Sequence, residues 1–200
     1  MKTIRYCLFA VLLSVVALPA SAQFWLGLSA SIGAASMSYE DEGFDVETEG
    51  LSVFGVGLVA EKAMSDNLRI LTNPAFQKKG THVTESGSDF DIEATYIDLP
   101  ILVKFLFGSG NLHPYVEGGV SINFLSKAEY DGEDIKDETK STDFAGALGA
   151  GVEVAVGDRG AAFVGARYQL GLSNVADTED VTVKNKLLGL IFGYKMQMGN

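Results

Sequence analysis

The chain has 200 residues, with 15 Lys and Arg against 26 Asp and Glu, for a formal net charge of −11. A balance this acidic lacks the basic footprint that nucleic-acid binding needs, so no nucleic acid is expected among its partners. A single cysteine, Cys7, rules out a disulfide scaffold or a Cys-based metal set.

Residues 1–22 read as a cleaved signal peptide, leaving 23–200 as one domain. Lys2 and Arg5 supply the positive start, Cys7 to Leu18 the apolar stretch, and Ala20-Ser21-Ala22 the small-residue cleavage site. The apolar run is shorter than the ~18–20 residues of a spanning helix. Cys7 lies inside the signal, too early for lipidation. No later stretch is long and apolar enough to form a transmembrane helix.

Eight segments then alternate apolar with small or polar residues, over roughly 25–37, 50–61, 68–78, 92–105, 114–127, 141–155, 161–172 and 186–198. Strict alternation means strands with two unlike faces. Their length suits the ~9–11 residues of a tilted membrane strand better than the ~5–6 of a soluble one. The connections 62–67, 106–113 and 156–160 are short and carry turn formers such as Gly108-Ser109-Gly110-Asn111. Those at 38–49, 79–91, 128–140 and 173–185 are long, polar and mostly acidic. Short and long connections in strict alternation fit an all-β, eight-stranded antiparallel up-and-down transmembrane β-barrel. Its termini and short turns are expected in the periplasm and its long loops outside the cell.

The volumes of the two faces assign inside and outside. In the last segment Leu188, Leu190, Phe192, Tyr194, Met196 and Met198 share one phase, opposite Gly189, Gly193, Lys195 and Gln197. Asp143, Ala145, Ala147, Gly149, Gly151 and Glu153 likewise oppose Phe144, Leu148, Ala150, Val152 and Val154. An eight-stranded interior has room for modest side chains, so the bulky phase is expected to face lipid. Trp25, Phe105, Phe107, Tyr115 and Tyr194, near strand ends, are candidates for interfacial aromatic girdles.

The inward phase carries Glu61, Arg69, Asp98, Lys104, Glu117, Glu153, Arg167 and Lys195, four of each sign. Opposite charges in one narrow lumen can pair, whereas isolated ones are costly to bury. A salt-bridged plug across the lumen is therefore expected, in place of a like-charged selectivity ring.

Tyr96-Ile97-Asp98-Leu99-Pro100-Ile101-Leu102-Val103-Lys104-Phe105 resembles the Y-[IL]-[ED]-[IL]-P-[IL]-L-[IL]-K-[YF] segment of PorT-like outer-membrane β-barrels, found mainly in the Bacteroidetes. Pro114 to Gly119, Asp143 to Glu153, Arg167 to Val175 and Phe192 to Lys195 are similar to later strands of that family. The resemblance implies an eight-stranded outer-membrane barrel of the OmpA/OmpX general type. It also implies a link to protein secretion, although no residue here carries that role across. Pro100 removes one ladder hydrogen bond and predicts a bulge or bend near the short-turn end. The chain ends Met-Gln-Met-Gly-Asn where many such barrels end on an aromatic residue, so Tyr194 or Phe192 would serve as the insertion signal.

Little points to catalysis. The only histidines are His82, in a long connection near Thr84 and Glu85, and His113, before Pro114 in a short turn. There is no H-E-x-x-H, Cys–His metal set or phosphate-binding glycine loop. No catalytic residue, cofactor or metal is expected, and the chain reads as not an enzyme. Glu40, Asp41, Glu42, Asp45, Glu47 and Glu49 in the first long loop do not follow EF-hand spacing. They read as a solvated acidic loop; the alternative is a loop that divalent cations bridge to anionic lipopolysaccharide or a partner. The expected role is structural or interactive, through the extracellular loops, as a monomer among outer-membrane lipid and lipopolysaccharide. Protein partners on those loops would make it an accessory of envelope assembly or secretion; the alternative is a narrow channel for ions or small solutes.

Overall fold

The computed structural model describes residues 23–40, 48–85, 88–130, 132–136, 139–176 and 182–198. The signal segment 1–22 and the acidic positions Asp41, Glu42, Asp45 and Glu47 lie outside them.

Among the described residues the strands are β1 (Phe24–Glu40), β2 (Thr48–Glu49), β3 (Leu51–Ala63), β4 (Leu68–Thr72), β5 (Ala75–Glu85), β6 (Ser88–Leu106), β7 (Leu112–Tyr130), β8 (Glu133–Asp134), β9 (Thr142–Val156), β10 (Gly160–Gly171) and β11 (Thr182–Met198). Taking β4 and β5 together as one interrupted strand, and leaving aside the two-residue β2 and β8, eight strands pair in sequence order, all antiparallel. The first and last then pair with each other along Phe24↔Met198 to Glu40↔Thr182, so the sheet closes into a ring. Every long strand has a neighbour on both sides, the only way a sheet can satisfy its backbone in lipid.

The outer surface carries the bulky phase. Leu28, Phe54, Leu148 and Leu172 are each 60–70% exposed, within a continuous set that includes Leu188, Leu190, Phe192, Tyr194, Met196 and Met198. An apolar belt this extensive would be an aggregation liability in water and is what a lipid-facing wall requires.

The short connections extend the ladder. Leu106 N donates to Asn67 O at 2.8 Å, Ala155 N to Asn111 O at 2.8 Å and Gln197 N to Arg159 O at 2.8 Å. Gly108 and Gly110 take φ of 79° and 99° between β6 and β7, a conformation that side chains disfavour.

Several expectations need correction. The connection assigned to 79–91 is mostly strand: β5 runs to Glu85 and β6 begins at Ser88. Lys79 and Thr81 carry the buried inward phase on beyond the last apolar residue of the segment. His82 therefore sits in β5 opposite Asp91, and His113 sits in β7 opposite Glu153, neither of them in a loop or turn. The third segment breaks at Asn73-Pro74, where β3 still continues its bonding through Leu58 N to Pro74 O at 2.9 Å. Pro100 produces no bulge. It keeps register with Ser121 on β7, while its other side faces the break, between the pairs Thr72↔Ile101 and Ala75↔Asp98. Its missing N–H thus falls where the ladder is already interrupted. The bulge lies four residues earlier, at Thr95/Tyr96, with Ser126 as the extra residue of β7.

Trp25 and Tyr115 are not girdle residues. They are 9% and 3% exposed and lie inside the ring, as the phase of their strands requires. Phe105, Phe107 and Tyr194 do face outward, and Phe105 and Phe107 meet edge to face at 4.9 Å between centroids. The interior is also bulkier than the volume argument implied. Tyr96, Lys79, Lys104, Lys195 and Leu102 are all fully buried in it. Glycines opposite them make the room: a Cβ on Gly165 would lie 2.4 Å from Tyr115 Oη, and one on Gly151 would lie 2.6 Å from the same atom. Gly165→Val is accordingly expected to destabilise the ring by about 1–3 kcal/mol or more, the usual cost of overpacking. A lower urea midpoint for the protein refolded in lipid vesicles would show it; an unchanged midpoint would mean that Tyr115 simply moves aside.

Candidate functional site

The charged side chains inside the ring form three groups, stacked from the short-turn end towards the loop end. The order follows β6, which presents Lys104, Leu102, Pro100, Asp98, Tyr96 and Ala94 to the lumen in turn.

At the turn end five strands supply one cage: Glu61 from β3, Arg69 from β4, Lys104 from β6, Glu153 from β9 and Lys195 from β11. Lys104 Nζ lies 3.0 Å from Glu61 Oε1 and 2.9 Å from Glu153 Oε2. Lys195 Nζ bonds the same two carboxylates, at 2.6 Å to Glu153 Oε2 and in a short contact to Glu61 Oε2. Arg69 Nη1 spans them again, at 3.2 Å to Glu61 Oε2 and 2.9 Å to Glu153 Oε1. Each carboxylate thus receives all three cations. Glu61, Lys104 and Lys195 are at most 1% exposed.

Three cations on two carboxylates leave one positive charge in excess, and aromatic rings face it. Lys104 Nζ lies 4.0 Å from the Tyr115 centroid and 5.6 Å from Phe163. Trp25 lies beneath both Arg69, at 5.2 Å, and Lys195, at 5.4 Å. The negative faces of the rings stabilise desolvated cations, by about 2 kcal/mol or more in favourable cases. This gives Trp25 and Tyr115 a reason to be inside.

The next group pairs Glu117 of β7 with Arg167 of β10. Arg167 donates from Nε to Glu117 Oε1 at 2.8 Å, with Nη2 2.7 Å from the same oxygen. Its Nη1 donates to Asn73 Oδ1 at 3.2 Å, and Asn73 Nδ2 donates to Ser29 Oγ at 2.8 Å and Leu58 O at 2.6 Å. The strand break at Asn73 thereby becomes part of the interior network. Below it, Val59, Leu71, Leu102 and Ala147 form a small apolar layer.

Towards the loop end Asp98 faces Lys79, with Nζ 3.3 Å from Oδ1 and the ammonium 5.0 Å from the Tyr96 ring centroid. Asp143 accepts from Asn123 Nδ2 and Asn185 Nδ2 at 3.2 Å each, and from Ser173 Oγ at 2.7 Å. Asn185 Nδ2 also donates to Tyr96 Oη at 3.4 Å.

Five of the eight predicted lumen charges therefore meet in one cage, Glu117 and Arg167 meet each other, and Asp98 meets none of the others. Lys79, its partner, was missed because the third segment was ended at residue 78. Gln77, Lys79 and Thr81 continue the inward phase and are all buried. Asn73 carries no charge and sits at the break, so alternation gave it no weight. Asp143 lies in the inward phase at the edge of its segment.

Little space remains between the groups. A void of about 10 Å³ is bounded by Glu61, Lys104, Tyr115, Glu117 and Arg167. A second of about 40 Å³ lies between Asn73, Gln77, Asp98, Arg167 and Gln169. Gln169 Oε1, with no protein hydrogen-bond partner, borders it. That is room for a few waters in these two spaces.

Residues 7–195 match the family model for the outer membrane protein beta-barrel domain. The chain belongs to that family. It is an outer-membrane protein, and the closed ring of strands is that family's barrel. Among solved structures, OprG of Pseudomonas aeruginosa is 13% identical with a TM-score of 0.62, over 90% of this chain and 98% of that one. Neisserial surface protein A is 17% identical with a TM-score of 0.55, over 88% and 97%. At such identities the barrels share a fold. No curated protein matches the chain in sequence. The expectation that the chain is not an enzyme is withdrawn. The outer membrane enzyme PagL is also among the matches, 16% identical with a TM-score of 0.47 over 86% of this chain and 99% of that one.

Proposed function

We propose that this barrel works at its loop end, as a structural and interaction protein of the outer membrane whose lumen is closed. The observation that supports this reading is the cage of Glu61, Arg69, Lys104, Glu153 and Lys195, cross-braced between five strands. In this reading residues 1–22 are removed on export, the termini and short turns are periplasmic, and the long connections lie outside the cell. The barrel is a monomer surrounded by outer-membrane lipid and lipopolysaccharide. The likeness of residues 96–105 to the PorT-like segment makes an accessory role in secretion or envelope assembly, in a Bacteroidetes-type cell, the form of interaction to test first.

A second reading, a narrow channel, is favoured by the polar lining of Ser29, Ser31, Asn73, Gln77 and Gln169 along the middle of the lumen. Single-channel recording of the refolded barrel in a planar bilayer separates the two. The closed-lumen reading expects no steady conductance. A reproducible open level that shifts in Glu117→Gln or Arg167→Gln would establish the channel instead.

A further inference from the structure

Above the Asp143 network the lumen changes character. Met37 of β1, Ile92, Glu93, Ala94 and Tyr96 of β6, Ala128 of β7, Val183 of β11, and Ile135, Thr139, Val175 and Ala176 from the connections line an open-mouthed hollow of about 160 Å³. Two apolar clusters form its walls: Ala94, Tyr96, Leu125 and Ala128 with Ile135, and Met37, Val175 and Val183 with Ile92 and Ala176.

The walls are fixed by backbone bonds. Ile135 N donates to Ala128 O at 3.1 Å, Lys140 N to Val175 O at 2.9 Å and Val175 N to Val183 O at 2.9 Å. Thr139 and Ala176 form a bridge across the top. Asn174 Oδ1 accepts from Ala176 N at 3.1 Å and Val183 N at 2.8 Å, holding that segment against β11. The floor is polar: Tyr96 and Asn185 lead to Asp143.

A preformed hollow lined mainly by apolar side chains, with a few polar groups (here Glu93, Thr139 and Tyr96), is how small-molecule sites are built. Its size selects the guest. An apolar space of about 150 Å³ takes up one benzene-sized molecule, whereas a lipid chain or a peptide segment needs far more room. We infer that the loop end of the lumen is a binding pocket for one small apolar molecule, the size of a single aromatic ring or a short branched hydrocarbon. The polar floor stops the guest there, so the pocket captures and does not conduct. This goes beyond the interaction role and does not depend on it.

The methionines provide the test. Met37 lines the pocket, while Met196 and Met198 lie on the outer face, each 50% exposed. The full barrel, methyl-labelled at methionine and reconstituted in lipid nanodiscs, is titrated with toluene. The Met37 methyl is expected to shift and saturate, while Met196 and Met198 drift in proportion to toluene dissolved in the lipid. Ala128→Phe, which fills the pocket, is expected to weaken the saturable shift at least tenfold while the unheated gel band still reports a folded barrel. Val183→Phe is the second filling variant should the first not refold. A Met37 shift that only tracks the outer methyls, or a saturable shift that survives filling, would overturn the inference.

Discussion

Exchanging Glu61 for leucine is expected to lower the unfolding free energy by about 3–5 kcal/mol, the range for breaking a buried ion pair from one side. Among the described residues, Glu61 and Glu153 are the carboxylates that pair with Arg69, Lys104 and Lys195 in the cage. Without Glu61 three cations share one carboxylate, and Lys104 and Lys195 are fully buried. A surface ion pair would cost far less, about 0–1 kcal/mol, so the magnitude itself reports burial. The companion variant, Glu61→Leu with Lys195→Leu, removes one charge of each sign and should recover a large part of the loss. Urea unfolding in lipid vesicles measures both. A single variant as stable as the parent would show that the lumen is hydrated well enough to solvate the three cations unaided.

The second large effect concerns closure. The cage and the Asp98–Lys79 pair lie six residues apart along β6, about 20 Å of extended strand. With the Glu117–Arg167 pair between them, the lumen is therefore expected to be shut three times. Lys104→Ala with Glu153→Ala removes one charge of each sign from the lower barrier, Glu117→Ala with Arg167→Ala removes the middle pair, and Lys79→Ala with Asp98→Ala removes the upper pair. Any one double change alone should leave bilayer conductance at baseline, and the three combined should produce a steady open level. If the lower change alone conducts as well as the combined variant, the cage is the sole barrier. If the folded combined variant stays silent, the lumen is filled by more than its charges.

Much of this was legible from alternation, because lipid on one side and a narrow lumen on the other impose opposite demands on neighbouring residues. Leu188 to Met198 show it most plainly. A charge out of phase with such a wall must point inward, which is how Glu61, Lys104, Glu153 and Lys195 stand out. Which charge meets which depends on strand stagger, and nothing local encodes that: Arg69 reaches Glu153, 84 positions away. Aromatic residues near strand ends commonly anchor at the interface, which suggests the girdle for Trp25, but its phase with Gly27 and Ser29 places it inside. Segments bounded where apolarity ends leave Lys79 out. Alternation outlasts apolarity once a strand leaves the membrane, and Gln77, Lys79 and Thr81 show it. The apolar pocket was not legible, since Ile135 and Val175 belong to polar connections and meet only through the closed ring.

The pairing of β1 with β11 also governs the order of events during assembly. Neighbouring hairpins can form as soon as both their strands exist, but the seam between the chain's two ends is the longest-range contact in the molecule, and such contacts form slowly. Lys195 lies on one side of that seam, on β11, and Glu61 lies beyond the other, on β3. Until the seam zips, their ion pair cannot exist, and the half-made cage must remain wetted. The cage is thus complete only in the closed ring, and the ion pair of Lys195 with Glu61 is a contact across the seam.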